Sequence, residues 1–95
     1  MPLKTRPFDA ALYLDDDESQ GELLADAIES GDARYIAHAL GIVARARGMT
    51  QIARETGLSR ESLYKALHAE GNPELATVMR VVKALGITLT TKSAA

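Results

Sequence analysis

The sequence contains no cysteine and no tryptophan, and its 95 residues include only one phenylalanine and three tyrosines. The lack of cysteine excludes disulfide bonds and thiolate metal sites and favours a reducing cytoplasm as the compartment. With so few aromatic residues, the core must be aliphatic, in one domain near the small end of what folds stably alone. No apolar run reaches the roughly twenty residues of a membrane span, and the N-terminus lacks the apolar segment of a secretory signal. We therefore expect a soluble cytoplasmic protein, with residues 1–95 forming one domain and no membrane partner.

Signatures of catalysis are also missing. His38 and His68 are the only histidines, and neither has an acidic residue three or four positions away. The acidic run at residues 15–18 is local in sequence, whereas a metal or acid–base site needs convergent ligands. The sequence has no Gly-rich phosphate loop, serine elbow or cysteine nucleophile. We therefore expect no enzymatic activity, no metal and no cofactor.

The net charge of −2 combines two halves of opposite sign. Residues 1–32, an acidic N-terminal extension, carry nine acidic and two basic side chains, a net charge of −7. Residues 33–95 carry nine basic and four acidic side chains, a net charge of +5. This asymmetry indicates two partners of opposite charge. The alternative is an acidic solvated helix beside an ordinary basic surface.

Residues 49–68, MTQIARETGLSRESLYKALH, have the spacing of a helix-turn-helix. We predict that Thr50 caps a first short helix in which Ile52 faces the core. Ala53 is small enough to let a second helix cross closely. Four residues later, Gly57 adopts the left-handed backbone of a sharp turn at no steric cost.

The second helix of the motif is predicted to begin after Ser59, which caps it. Its inward residues are Leu63, Ala66 and Leu67, and its outward residues are Arg60, Glu61, Ser62, Tyr64 and Lys65. A short helix that exposes polar and basic residues fits the major groove of DNA. Some helical hairpins share this spacing and bind nothing.

Three further helices follow from apolar spacing and capping residues. Asp17 can cap a helix over residues 18–29, and Asp32 can cap one over residues 33–47. Pro73 can occupy the first turn of a last helix over residues 74–85. The first helix should bury Leu23, Leu24, Ala27 and Ile28; the last should bury Leu75, Val78, Met79, Val82 and Leu85.

Residues 87–91 alternate apolar and polar side chains and include β-branched residues, which predicts a short strand. A lone strand needs a partner, either the segment at residues 3–6 or its own copy in a second subunit. Because helix-turn-helix proteins commonly bind DNA as two-fold dimers, we favour the copy, with Ile87 and Leu89 at a homodimer interface. The predicted fold is an all-α domain of five or six helices, including a short turn or helix at residues 8–14, with a small C-terminal strand.

The segment from GMTQIARETGLS to GNPELATVMRVVKALGI resembles the phage-repressor-like helix-turn-helix domains. LSRESLYKAL followed by GNPE is closer to one branch, the antidote (antitoxin) proteins of addiction modules. FDAALYLDDDE and ALGIVARARGMTQ in the N-terminal half follow the same family pattern, so the resemblance covers about residues 6–90. It implies a small ribonuclease-like toxin as partner, usually encoded nearby, and repression of the shared operon through double-stranded operator DNA. Among DNA-binding proteins, the alternative is a prophage-type regulator without a toxin partner. Among proteins that do not bind DNA, the alternative is a protein-interaction module.

By position, the resemblance places Gln51 against a phosphate or base edge and turns the outward face of the second helix toward the groove. Arg60 and Lys65 would bind guanine or a phosphate, and Glu61 would accept from cytosine N4 or simply lie in the first turn of a helix. Tyr64 would stack on the sugar-phosphate backbone or pack on Leu67. The candidate DNA-contacting residues are Thr50, Gln51, Ser59, Arg60, Glu61, Ser62, Tyr64, Lys65 and Asn72, although turn geometry alone explains Asn72 before proline.

The acidic extension is the candidate toxin-binding segment. A ribonuclease-like toxin must hold polyanionic RNA, so its working surface should be basic and attract carboxylates. Apolar side chains would anchor such a complex, because charged rims tune association rates more than they hold complexes. The candidate toxin-binding residues are Leu12, Tyr13, Asp15, Asp16, Asp17 and Glu18. The alternative is that residues 8–30 merely complete the core.

Overall fold

The computed structural model describes residues 17–68 and 70–94, and these residues form five α-helices and no β-strand. The helices are α1 (Asp17–Ser30), α2 (Ala33–Arg47), α3 (Met49–Thr56), α4 (Arg60–Ala66) and α5 (Leu75–Ala84). The prediction of an all-α fold is confirmed for these residues, and the turn or helix predicted at residues 8–14 lies outside them. No helix within the described ranges is long and apolar enough to cross a membrane.

α2 is the central helix and packs against each of the other four. The alanines of α2 are small and let the neighbouring helices approach it closely. The core is aliphatic, because the chain has few aromatic residues. The buried core comprises Leu24, Ala27, Ala39, Leu40, Val43, Ala44, Met49, Ile52, Ala53, Leu63, Leu67, Val81, Val82 and Leu85.

α1 and α2 form an antiparallel pair joined by a tight turn. Gly31 supplies the turn with a φ of +72°. The Asp32 side chain then accepts hydrogen bonds from the backbone N–H groups of Arg34 (2.9 Å) and Tyr35 (3.4 Å). These bonds satisfy two of the donors left open at a helix start, so the predicted cap and the predicted bounds of α2 are confirmed.

Arg47, at the end of α2, joins three helices. Its Nε donates to Oε1 of Gln20 in α1 at 2.6 Å, and its Nη1 donates to the backbone carbonyl of Leu85 after α5 at 3.0 Å. Arg47 is only partly exposed and Gln20 is buried, so each hydrogen bond offsets the cost of removing a polar group from water. The bonds place the start of α1 beside the ends of α2 and α5.

Two of the predicted buried stripes are partly wrong. Leu75 and Met79 are 74% and 44% exposed, because α5 turns Val81 and Val82 to the core and none of the five described helices covers its first turn on the Leu75 side. Ile28 is exposed near the end of α1 for the same reason: the stripe extends past the surface that α2 covers. Leu24, Ala27, Val82 and Leu85 are buried as predicted.

The start of α5 also differs from the prediction. Glu74 occupies the N-cap position with an extended backbone, and its side chain makes no capping hydrogen bond. Pro73 therefore precedes the helix instead of lying in its first turn. The helix begins only at Leu75, because Glu74 keeps an extended backbone with φ −65° and ψ 153°.

Residues 87–94 have no regular secondary structure in the single chain. Ile87 packs partly buried against the core, and its N–H donates to the carbonyl of Val82 at 3.2 Å. Further along, Lys92 Nζ lies 4.0 Å from a carboxylate oxygen of Glu29 in α1, with both side chains well exposed. Leu89 is exposed. Pairing of residues 87–91 with a second copy remains a prediction.

Candidate nucleic-acid interface

The turn between α3 and α4 has the geometry that the sequence predicts. Gly57 adopts a left-handed conformation with φ +78°, and its N–H donates to the carbonyl of Ala53 at 3.0 Å. Ile52 and Ala53 are buried, and Leu58 packs partly buried against the core. The turn therefore holds α3 and α4 as a fixed pair that contacts the rest of the core through α2 and α5.

The start of α3 differs from the prediction. Gly48, not Thr50, occupies the N-cap position, with φ +114° and no side chain to cap the helix. The helix begins at Met49, with only Gly48 between it and the end of α2, so Thr50 lies within the first turn with its side chain exposed. The prediction that Thr50 caps this helix is wrong: the helix begins two residues earlier than a Thr50 cap would allow, and its first residue, Met49, is buried in the core.

Ser59 caps α4, as predicted. Its Oγ accepts a hydrogen bond from the N–H of Ser62 at 3.0 Å and donates to Ser62 Oγ at 2.9 Å. Both serines are exposed, so their hydroxyls lie at the surface where the helix begins. This cap satisfies one backbone donor of a helix only seven residues long.

The outward face of α4 is polar over its whole length. Leu63 and Leu67 are buried, and Ala66 packs partly buried against the core. The five side chains predicted to face outward are all exposed: Arg60, Glu61, Ser62, Tyr64 and Lys65. The Arg60 guanidinium lies over the Tyr64 ring, with Cζ 5.8 Å from the ring centroid, and this contact favours one orientation of Arg60.

Two other candidate DNA-contacting residues lie beside α4 in the fold or sequence. Gln51 is exposed on α3, where its Nε2 donates to a carboxylate oxygen of Glu55 at 3.2 Å. Asn72 is exposed in the loop between α4 and α5. In that loop Gly71 is required by space, because a Cβ there would overlap the carbonyl of Ala66 and lie 2.9 Å from that of Lys65. The sequence marks this glycine only as part of a turn.

The acidic face of α1 lies on a separate helix from the basic residues of α4. Glu18, Glu22, Asp26 and Glu29 are all exposed. Asp26 Oδ2 accepts a hydrogen bond from the Tyr35 hydroxyl at 2.6 Å, and this bond raises the pKa of Tyr35 above its ordinary value of 10.0. Of the candidate toxin-binding residues, Leu12, Tyr13, Asp15 and Asp16 lie outside the described residues, as does the side chain of Asp17.

The fold places both histidines on one groove, which no local sequence pattern predicts. His38 of α2 and His68, just after α4, line one groove with Arg45 and Tyr64. The signal was available in part, because His38, Ile42 and Arg45 recur at helical spacing on one face of α2. Only the packing of α4 on α2 adds His68. Within the described ranges, no three His, Asp or Glu side chains converge as a metal site would require.

Comparison with known proteins identifies relatives along nearly the whole chain. A family model described as "Probable addiction module antidote protein" matches residues 4–93. An uncharacterized protein of Haemophilus influenzae is 46% identical over 87 residues, which cover 92% of this chain and 90% of the relative. No solved structure gives a significant match.

Proposed function

Since this chain belongs to the family of probable addiction module antidote proteins, we propose that it is the antitoxin of a type II toxin–antitoxin module. In this proposal it binds and neutralises a ribonuclease-like toxin encoded nearby. As a homodimer in the cytoplasm, it also binds operator DNA and represses its own operon. The role is one of binding and regulation, and it needs no catalytic group or cofactor.

The observation that carries the DNA-binding part is the exposed polar face of α4. A capped helix, held in a rigid pair with α3, presents Arg60 and Lys65 with no carboxylate bound to either in the described contacts. Guanidinium and ammonium groups in this position are suited to guanine O6 and N7 or to phosphate oxygens. The family resemblance implies the same helix as the reading element.

The toxin-binding part is supported by charge. Residues 1–32 have a net charge of −7, and the acids of α1 in the described part are exposed rather than buried in the core. A toxin that binds RNA needs a basic working surface, so an acidic segment can reach it quickly and cover it. Leu12 and Tyr13 precede this helix and would supply the apolar anchor.

Binding to the DNA upstream of the gene tests the first part. In mobility-shift titrations, we expect specific binding that Arg60→Ala combined with Lys65→Ala abolishes or severely weakens. Arg80→Ala combined with Lys83→Ala removes the same charge from the exposed side of α5 and serves as the matched control. Unchanged affinity in the Arg60 and Lys65 variant would remove α4 from the mechanism.

Charge reversal tests the toxin-binding part. Changing Asp15, Asp16 and Asp17 to lysine should preserve helicity and DNA binding but slow association with the neighbouring toxin, most of all at low salt. Changing Glu55, Glu70 and Glu74 to lysine reverses three exposed acids outside the acidic extension and so controls for the same change in net charge. If association of the first variant is unaltered at low salt, the toxin docks elsewhere.

A further inference from the structure

The chain leaves α4 through a turn that His68 holds with two hydrogen bonds. The His68 carbonyl accepts from the backbone N–H of Gly71 at 2.8 Å. Nδ1 of the His68 ring accepts from the backbone N–H of Glu70 at 3.0 Å. His68 therefore satisfies two consecutive backbone donors, and its ring plays the part that an asparagine or aspartate side chain plays in an Asx turn.

This turn packs against the end of α4. A Cβ at Gly71 would overlap the carbonyl of Ala66 and lie 2.9 Å from that of Lys65. The backbone of the turn therefore lies on the last turn of the helix whose outward face carries Tyr64 and Lys65. The next residue, Asn72, is exposed in the loop before α5. A change in the turn thus acts directly on the end of α4 and on Asn72.

The hydrogen bond to Glu70 requires a neutral imidazole. A neutral ring whose Nδ1 accepts a hydrogen bond carries its proton on Nε2. The imidazolium form carries a proton on both ring nitrogens and has no acceptor. Histidine is the side chain that ordinarily changes charge between pH 5 and 8. Protonation of His68 therefore removes this bond within an accessible pH range.

The charged and titratable groups around His68 belong to α2, α4 and the turn itself. They are His38 and Arg45 of α2 and Tyr64 of α4, which line the same groove, and Glu70 in the turn. The Glu70 carboxylate lies 4.0 Å from the Arg34 guanidinium of α2, with both side chains well exposed. An exposed ion pair of this kind contributes little, so it does not replace the bond from His68.

We propose that His68 is a positioning residue for operator binding, because its neutral ring fixes the turn that places Asn72 and the end of α4 against the DNA. This inference rests on the proposed function, in which α4 reads the operator. A specific complex requires these groups in one arrangement, whereas binding to unrelated DNA depends mainly on charge. Protonation of His68 therefore lowers operator binding relative to binding of unrelated DNA, although the added positive charge strengthens both.

Three substitutions separate the acceptor from the ring and from its charge. His68→Ala removes the acceptor. His68→Asn keeps an acceptor that can reach the Glu70 N–H in an Asx turn, and an amide stays neutral at the pH values used. His38→Asn is the matched control: it removes the other histidine of the groove, whose ring makes no hydrogen bond within the described residues.

At about pH 8, where histidine is ordinarily neutral, we expect His68→Ala to lose about fivefold in operator affinity, the equivalent of one ordinary hydrogen bond. His68→Asn and His38→Asn should stay within about twofold of the original protein. Titrations with operator and unrelated DNA at one salt concentration measure these affinities. Equal operator affinity for His68→Ala and the original protein would overturn the proposal. A loss in His68→Asn as large as that in His68→Ala would also overturn it.

Lowering the pH from about 8 to about 5.5 charges the histidines. The ratio of operator affinity to unrelated-DNA affinity should fall about fivefold for the original protein and for His38→Asn. It should stay constant for His68→Asn, which keeps its acceptor at both pH values. Taking the ratio removes the general gain in affinity that added positive charge gives. An equal fall in His68→Asn would overturn the assignment to His68.

The Glu70 amide tests the hydrogen bond without DNA. In NMR spectra of the free protein, its N–H signal should shift as the His68 ring is protonated, and it should not shift over that pH range in His68→Asn. If the signal shifts but the original protein binds no operator, the proposed function is wrong and only the hydrogen bond stands. If the protein binds its operator but the signal does not shift, the role of His68 is wrong and the proposed function stands.

Discussion

Arg60 and Tyr64 form a cation–π contact on the exposed face of α4, with the Arg60 Cζ 5.8 Å from the centroid of the Tyr64 ring. The two residues are one helical turn apart, so the contact is compatible with the backbone of a regular helix. It orients the guanidinium before any DNA is present. Lys65, on the same helix, has no such partner in the described contacts and keeps its rotamer freedom, which must be lost on binding.

The first prediction separates base reading from phosphate contact at these two residues. Arg60→Ala should cost about 1–3 kcal/mol of specific affinity if Arg60 binds guanine bidentately, and should relax sequence preference. Lys65→Ala should instead weaken all sequences alike and lower the salt slope by about one if Lys65 binds phosphate. Titrations at several salt concentrations on operator and unrelated DNA measure both effects. A loss of affinity with neither signature would contradict both assignments.

Ser59 offers a matched pair of substitutions. Ser59→Ala removes the oxygen that accepts from Ser62 N–H and should lower the free energy of unfolding by about 1 kcal/mol. Ser59→Asp keeps a good cap and favours the positive end of the helix dipole, but it adds negative charge beside the proposed DNA face. We expect the aspartate variant to remain stable in denaturant titrations and to bind DNA less tightly. If Ser59→Asp binds DNA as well as the original protein, the start of α4 does not approach phosphate.

The close approach of α2 and α4 depends on Gly41. Gly41→Ala would place a Cβ against the Leu67 carbonyl and should destabilise the fold by about 1–3 kcal/mol through overpacking. Gly21→Ala is the control: Gly21 is exposed in α1 and has no heavy atom within 4 Å of the added Cβ. That substitution should stabilise by about 0.5–1 kcal/mol, since glycine is a poor helix former. Thermal or denaturant unfolding that gives the same sign for both variants would contradict this packing.

The proposed dimer contact is best tested at Leu89, because Ile87 also packs against the core of its own chain. Leu89→Glu should yield monomers and abolish cooperative binding to half-sites about 34 Å apart. Thr88→Glu adds the same charge at an exposed neighbour that would face the other side of a strand. Sedimentation that shows an intact dimer for Leu89→Glu would place the interface elsewhere.

Tyr35 reports the packing of α1 on α2. The hydrogen bond from its hydroxyl to Asp26, together with the negative charge of that residue, raises the Tyr35 pKa. Because the folded pKa lies above the unfolded value, this contact stabilises the fold below the ordinary pKa of tyrosine, and its contribution disappears as the pH rises through the folded value. Asp26→Ala should lower the pKa of Tyr35 toward 10.0, as followed by NMR of its ring. An unchanged pKa would mean that the contact does not persist in solution.

Several features of this protein follow from the sequence because they depend on neighbours a few residues apart. Asp32 and Ser59 cap helices through hydrogen bonds that span two or three residues. Gly57 turns the chain because of its own backbone freedom. The outward face of α4 follows from helical spacing alone, so the candidate reading residues were identified without a structure.

The tertiary structure determined three features that local residue spacing does not predict: which apolar residues are buried, where α3 begins and which distant residues share a groove. The apolar stripe of α5 includes Leu75 and Met79. Which part of the stripe is buried depends on the surface that the other helices provide, and Leu75 and Met79 lie outside that surface. The start of α3 depends on the burial of Met49, and so Gly48 and not Thr50 occupies the cap. His38 and His68 share a groove because Gly41 lets α4 reach α2 at backbone distance. Contacts between residues distant in sequence depend on how whole helices pack, and no local pattern encodes that arrangement.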